Sequence, residues 1–231
     1  MLKFAFILCS FSLVFLLNAK INEDENSLDR FIYPLSKSIA CPPVVLDVSD
    51  FPESKQWGEK AKSLVEKWFP IVTSLLATEN YNTPKEIKIE IKKDLNVPAY
   101  ASGGTITING KWITSRPDDF GMVIHELVHV VQQYPRNRRN VGWLVEGIAD
   151  YIRFWRYEPE TPRPRIDPEK SKYTDSYRTT AYFLAWVSNK YDMRLVPSLD
   201  SVLRKGEDPM PVFKEMTGKD IDGLWKEFIA R

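Results

Sequence analysis

Histidine is nearly missing from this sequence: 231 residues hold only two, at positions 125 and 129. A centre that gathers imidazoles from several loops is therefore excluded, and any shared chemistry must come from one short stretch. Cysteine is as scarce, present only as Cys9 and Cys41. Cys9 lies in the apolar opening segment, so loss of that segment leaves Cys41 alone. One cysteine builds no internal disulfide framework, and no cysteine cluster exists to close a structural zinc site. A buried, inert thiol is the plain reading of Cys41, with an intermolecular bridge or a metal ligand in a latent form as alternatives. Neither sign of charge is in excess, with 32 Lys and Arg against 31 Asp and Glu. Binders of nucleic acid or of a membrane surface need a basic surplus, so neither partner is expected. The apolar run from Phe4 to Leu17 is shorter than a membrane span requires.

That run reads instead as the middle of a signal peptide over residues 1–19. Met1-Leu2-Lys3 is its basic start, and Leu17-Asn18-Ala19 offers a small residue at the cleavage point. Export to a periplasm or the extracellular space follows, with an uncleaved anchor as the alternative. Cleavage would remove one charge, Lys3, and leave the chain formally neutral. Residues 20–40 are polar and irregular, a tail or a short pro-segment before Pro42-Pro43. Residues 41–231 are enough for one domain with a sizeable core, expected as a monomer with no stable membrane association.

Within that domain the apolar pattern changes period. Val44 to Val48 is short and β-branched, as in a strand. Ser54 to Phe69 repeats apolar residues at three- and four-residue steps, the helical period, and Pro70 either ends or kinks the helix. Glu86 to Ile91 alternates charge with isoleucine, which predicts a strand with one wet and one buried face. Thr105 to Ile108 alternates again, and Asn109-Gly110 reads as a hairpin turn with strand resuming at Lys111 to Thr114. After Arg116-Pro117-Asp118-Asp119 the elements are helical in period: Phe120 to Tyr134, Trp143 to Tyr157, then, past a Pro-rich link from Glu160 to Pro168, Ser176 to Tyr191 and two or three short helices from Pro197, Met210 and Asp220. A basic loop, residues 136–140, reads as solvated or as a contact for acidic substrate. Strands with an early helix, then helices only, give an α+β domain with a mostly helical C-terminal half.

The two histidines sit in His125-Glu126-Leu127-Val128-His129. Residues four apart share a helix face, so both rings can reach one metal ion. A glutamate directly after the first histidine is the residue type that deprotonates a metal-activated water. A catalytic zinc keeps one position open and takes three protein ligands. Glu146 is the best third ligand, and Asp150, one turn further along the same helix, can orient a ligating histidine. The exchange of roles between Glu146 and Asp150 is the alternative. With no third histidine, the donor to a tetrahedral oxyanion falls to tyrosine, arginine or backbone. Tyr177 is the choice, with Tyr182 and Tyr151 as rivals. An extended substrate would lie beside Ala101, Ser102 and Gly103, in a stretch that also reads as a glycine-rich hairpin.

His125-Glu126-x-x-His129 followed by Glu146-Gly147-x-Ala149-Asp150 is similar to the glutamate-zincin peptidases. More narrowly, Gly121 to Gln132, Leu144 to Arg153, Tyr177 to Leu184 and Leu224 to Phe228 resemble the plant basic secretory protein family and its bacterial relatives. That resemblance implies a zincin-like metallopeptidase domain, with a small twisted sheet above the active-site helix and one Zn2+ ion. It implies hydrolysis of peptide or protein substrates. The neutral charge departs from the plant proteins, so roles tied to basicity do not carry over. A second expectation is kept, a defence or surface-binding module of the same fold with zinc held for structure.

Overall fold

Alternating isoleucines make the centre of the sheet. In the computed structural model, which describes residues 39–76, 81–135 and 140–231, strand β2 (Ile87–Lys92) buries Ile87, Ile89 and Ile91 completely. Its other face carries Lys88, which pairs with Asp47 at 2.8 Å and Glu90 at 3.3 Å. Strand β1 (Val44–Asp47) runs parallel on one side of β2, in register from Val44 opposite Ile87. On the other side lies β4 (Thr105–Asn109), also parallel, which pairs antiparallel with the edge strand β3 (Ala99–Ser102). The order is β1-β2-β4-β3. The expected signal peptide, nearly all of the expected tail and most of the basic loop lie outside the described residues.

The turn chemistry differs from the sequence expectation at one point. Asn109-Gly110 does not make a hairpin, and residues 111–114 are not strand. The Asn109 side chain accepts hydrogen bonds from the Lys111 and Trp112 amides and so caps a helix, α2 (Gly110–Ser115). Its Nδ2 donates to the carbonyls of Leu95 and Val97, tying the cap to the preceding loop. The hairpin turn lies instead at Gly103-Gly104 between β3 and β4, where Gly103 takes a positive φ of 59°.

Helices cover the inner face. Pro70 does not end helix α1 (Lys55–Leu76). Helix α3 (Gly121–Gln132) carries both histidines, and its first turn is held by Asp119, whose carboxylate accepts from the Met122 amide at 3.3 Å. Helix α3 is buried on nearly every side, with His129 alone partly exposed. Helix α4 (Gly142–Ile152) ends in a wider π turn over Arg153–Tyr157, where the sequence period suggested one continuous helix. Helices α5 (Tyr177–Lys190), α6 (Leu195–Lys205), α7 (Met210–Thr217) and α8 (Ile221–Ile229) complete an α+β fold with a helical C-terminal half. Phe183 ties α5 to α7 and α8, with ring centroids 6.4 Å from Phe213 of α7 and 5.3 and 5.5 Å from Trp225 and Phe228 of α8. Among the described residues no helix is long and apolar enough to cross a membrane. Cys41 is half-buried and packs on the core, and burial pushes its thiol up to about 11, which suits the inert reading.

Helices α4 and α5 approach closely at Gly147. A Cβ added to Gly147 would fall on the methyl and Cβ of Thr180, a fully buried residue. We expect Gly147→Ala to force the helices apart and to cost about 1–3 kcal/mol by urea denaturation. An unchanged midpoint would show that this approach is not tight.

Candidate metal centre

Two features hold the site: the buried helix α3 and the start of α4. His125 and His129 are one turn apart on α3, with ring centroids 4.8 Å apart and planes at 82°. Their Nε2 atoms lie 3.1 Å from each other. Glu146 on α4 brings Oε2 to 3.1 Å from His125 Nε2 and 3.3 Å from His129 Nε2. The other ring nitrogens are engaged elsewhere. His125 Nδ1 is 2.7 Å from Asp150 Oδ1, and His129 Nδ1 is 2.7 Å from Gln132 Oε1. The Gln132 amide is oriented by its own donation to the Val145 carbonyl at 3.0 Å. With acceptors facing both Nδ1 atoms, the protons belong there and both Nε2 lone pairs turn to a common point.

That donor set fits a metal ion. An ion held tetrahedrally at about 2.0–2.1 Å separates its ligand atoms by roughly 3.3 Å, close to all three edges of the observed triangle. With both Nε2 atoms unprotonated these are three acceptors, and one cation satisfies them together. The charges respond to one another. Burial works against charge on His125, but Asp150 and Glu146 outweigh it and lift the ring to about 9. Burial pushes Glu146 up, yet the two histidines beside it hold its carboxyl down at about 2.

Glu126 is buried beside this group. Burial raises its pKa, with His125 and His129 pulling the other way, and the Ala101 amide of edge strand β3 donates to its carboxylate. Tyr177 stands at the start of α5, half exposed, its ring stacked 6.0 Å from that of His125 at 21°. Glu146, burial and then Asp150 raise its phenol pKa. Its backbone is strained: Tyr177 has φ 46°, and Ser176 before it has φ 66° with ψ 179°, a region normally left to glycine.

These groups open onto one cleft of about 710 Å3, lined by His125, Glu126, His129, Glu146, Tyr177 and the strand residues Ala101, Ser102 and Gly103. The site residues expected from sequence are thus brought together, with Asp150 just behind His125. Gly103 belongs to the hairpin turn rather than to the strand. The rivals Tyr151 and Tyr182 are buried instead, each stacked on Trp155 at 6.3 and 5.8 Å. Gln132 was given no role from sequence. Its spacing of three from His129 was the available signal.

Searches for similar curated proteins and for similar solved structures return no match. A match to a family of proteins described as "Peptidase of plants and bacteria" extends over residues 51–228 and takes in every element from α1 to α8 that builds the site. By that match the chain belongs to the basic secretory protein family of peptidases.

Proposed function

We propose that the protein is an exported zinc-dependent peptidase, directed by residues 1–19 as a signal peptide, with His125, His129 and Glu146 as zinc ligands. The observation that carries this reading is the triangle of two Nε2 atoms and one carboxylate oxygen, with a buried glutamate beside it. When bound there, zinc supplies Lewis acidity, drawing a water's pKa towards about 7 and polarising a carbonyl. The chain's own residues do the rest. Glu126 accepts the proton of the attacking water and returns it to the leaving amine. Its burial favours the protonated form after the first transfer, which suits it to that second delivery. Asp150 and Gln132 keep the two imidazoles in the tautomer that leaves Nε2 free. The Tyr177 hydroxyl donates a hydrogen bond to the oxyanion of the tetrahedral intermediate, keeping its proton. Edge strand β3 offers its unpaired side to an extended peptide backbone, in the manner of an added strand. Overall these parts amount to a zincin-like active site. A zinc-bearing surface module remains the second reading, but it gives no reason to bury an acid at position 126.

The cleft also speaks to substrate. Among the described residues, the exposed large apolar side chains are Val45, Val97, Tyr100 and Tyr177, and the last three, 45–54 % exposed, all line it. Arg153 is the one basic side chain among the described lining residues besides the histidines. It is already held by Asp119 at 2.7 Å and Glu158 at 3.0 Å.

Three outcomes are expected. Glu126→Gln keeps about one zinc per chain by metal analysis, while peptide hydrolysis falls by about 10²–10⁴-fold; unchanged hydrolysis would end the mechanism. Tyr177→Phe lowers kcat on the order of 10²-fold with KM nearly constant, whereas an unchanged kcat would reduce its place over His125 to packing. Cleavage of a mixed peptide library falls beside aromatic and branched aliphatic residues. A preference for basic or acidic side chains would contradict the cleft's composition.

A further inference from the structure

Two charged residues with no part in the chemistry above are enclosed in the protein. Asp200 is 0 % exposed and Arg204 is 7 % exposed, one turn apart on α6. The other Asp, Glu, Lys or Arg side chains buried among the described residues are Glu126 and Asp150, both of the candidate centre. Burying an ion pair gains little stability over an apolar pair of the same size, so its place in the fold calls for a further role.

The contacts of Arg204 indicate that role. One terminal nitrogen donates to the Val131 carbonyl at 2.8 Å and the Gln132 carbonyl at 3.0 Å. The other donates to the Leu76 carbonyl at 2.7 Å and to Asp200 at 2.7 Å. A single guanidinium therefore gathers the last carbonyls of α3 and of α1, where a positive charge is also favoured by the helix dipoles. Asp200 holds the fork and accepts from the Tyr134 hydroxyl at 2.7 Å, just past the end of α3. Gln132 is the link. Arg204 fixes its main chain, and its side chain fixes His129.

We propose that Arg204, steadied by Asp200, is a positioning residue for the metal centre: it locks the last turn of α3 so that Gln132 presents His129 to the ion. This rests on the reading of His125, His129 and Glu146 as metal ligands. A plain helix clamp would contribute stability alone, and the two roles separate when zinc affinity and metal-free stability are measured on the same variants.

The experiment compares the full-length protein with Asp200→Leu/Arg204→Met, Arg204→Lys, Gln132→Ala and Arg204→Lys/Gln132→Ala. Zinc Kd is read by competition with a chelating dye, and Tm is read on metal-free samples. The apolar double variant also takes the donor from the Val131, Gln132 and Leu76 carbonyls, so its Tm should fall while it still folds, and it should bind zinc about 10–100-fold more weakly. Arg204→Lys cannot span the three carbonyls with one ammonium, and should weaken zinc binding about tenfold while remaining folded. Because both residues act through His129, adding Arg204→Lys to Gln132→Ala should cost little further affinity. Zinc affinity equal to the parent's in the folded apolar double variant, or in Arg204→Lys if the former does not fold, overturns the proposal. So do fully additive losses in the combined variant. A parent protein that binds no zinc removes the ligand reading and this inference with it.

Discussion

Two imidazole nitrogens and a carboxylate oxygen are held within 3.3 Å of one another, and much of the surrounding structure exists to make that tolerable. Acceptor atoms crowd together only where the backbone leaves them no room to separate. Here the crowding is enforced by α3, which is buried nearly all round and whose two histidines are fixed one turn apart. Each ring is also pinned from behind, by Asp150 and by Gln132. The remaining partner, Glu146, arrives because α4 lies close against α5 at Gly147, directly after the glutamate in sequence. Local spacing, helix packing and outer hydrogen bonds thus converge on one point.

The sheet contributes through its edge rather than its centre. Its isoleucine face supports the helices, but β3 is the strand that reaches the cleft. The Ala101 amide donates to Glu126, so the proposed base borders the strand along which substrate would lie. Ala99 and Ala101, partnered with Ile108 and Ile106 of β4, pack partly buried on the core and line the cleft beside the histidines.

Much of this could be read before the fold was known, and the failures have physical causes. His125 and His129, like Glu146 and Asp150, are four apart on single helices, so their geometry follows from helical pitch alone. The strand at residues 86–91 showed its period directly. Asn109-Gly110 was misread because an asparagine side chain serves a tight turn and a helix cap equally well. The choice fell to the Leu95 and Val97 carbonyls, which lie more than ten residues away. Gln132 escaped assignment because half its bonding is to the Val145 carbonyl on another helix. Arg204 was invisible for the same reason, since its carbonyl partners come from residues 76, 131 and 132. Patterns within one element are local, whereas contacts that close between elements leave no periodic trace.

Tyr177 lies between these cases. Its residue type was suggested by the lack of a third histidine, but its placement depends on backbone that no propensity favours. Ser176 and Tyr177 both take positive φ, at about 1–3 kcal/mol each for residues with a Cβ. Such conformations persist only when flanking structure over-determines them. On the C-terminal side that structure is α5, whose Thr180 packs on Gly147 and donates to the Tyr173 carbonyl at 2.6 Å. On the N-terminal side, Tyr173 rests its ring against Phe183 and Trp225, 6.1 Å from each. The same two residues, Thr180 and Gly147, therefore bring Glu146 towards the histidines and anchor the segment that carries Tyr177. Ligand and proposed oxyanion donor are positioned by one helix contact, so a change in the spacing of α4 and α5 would move both together.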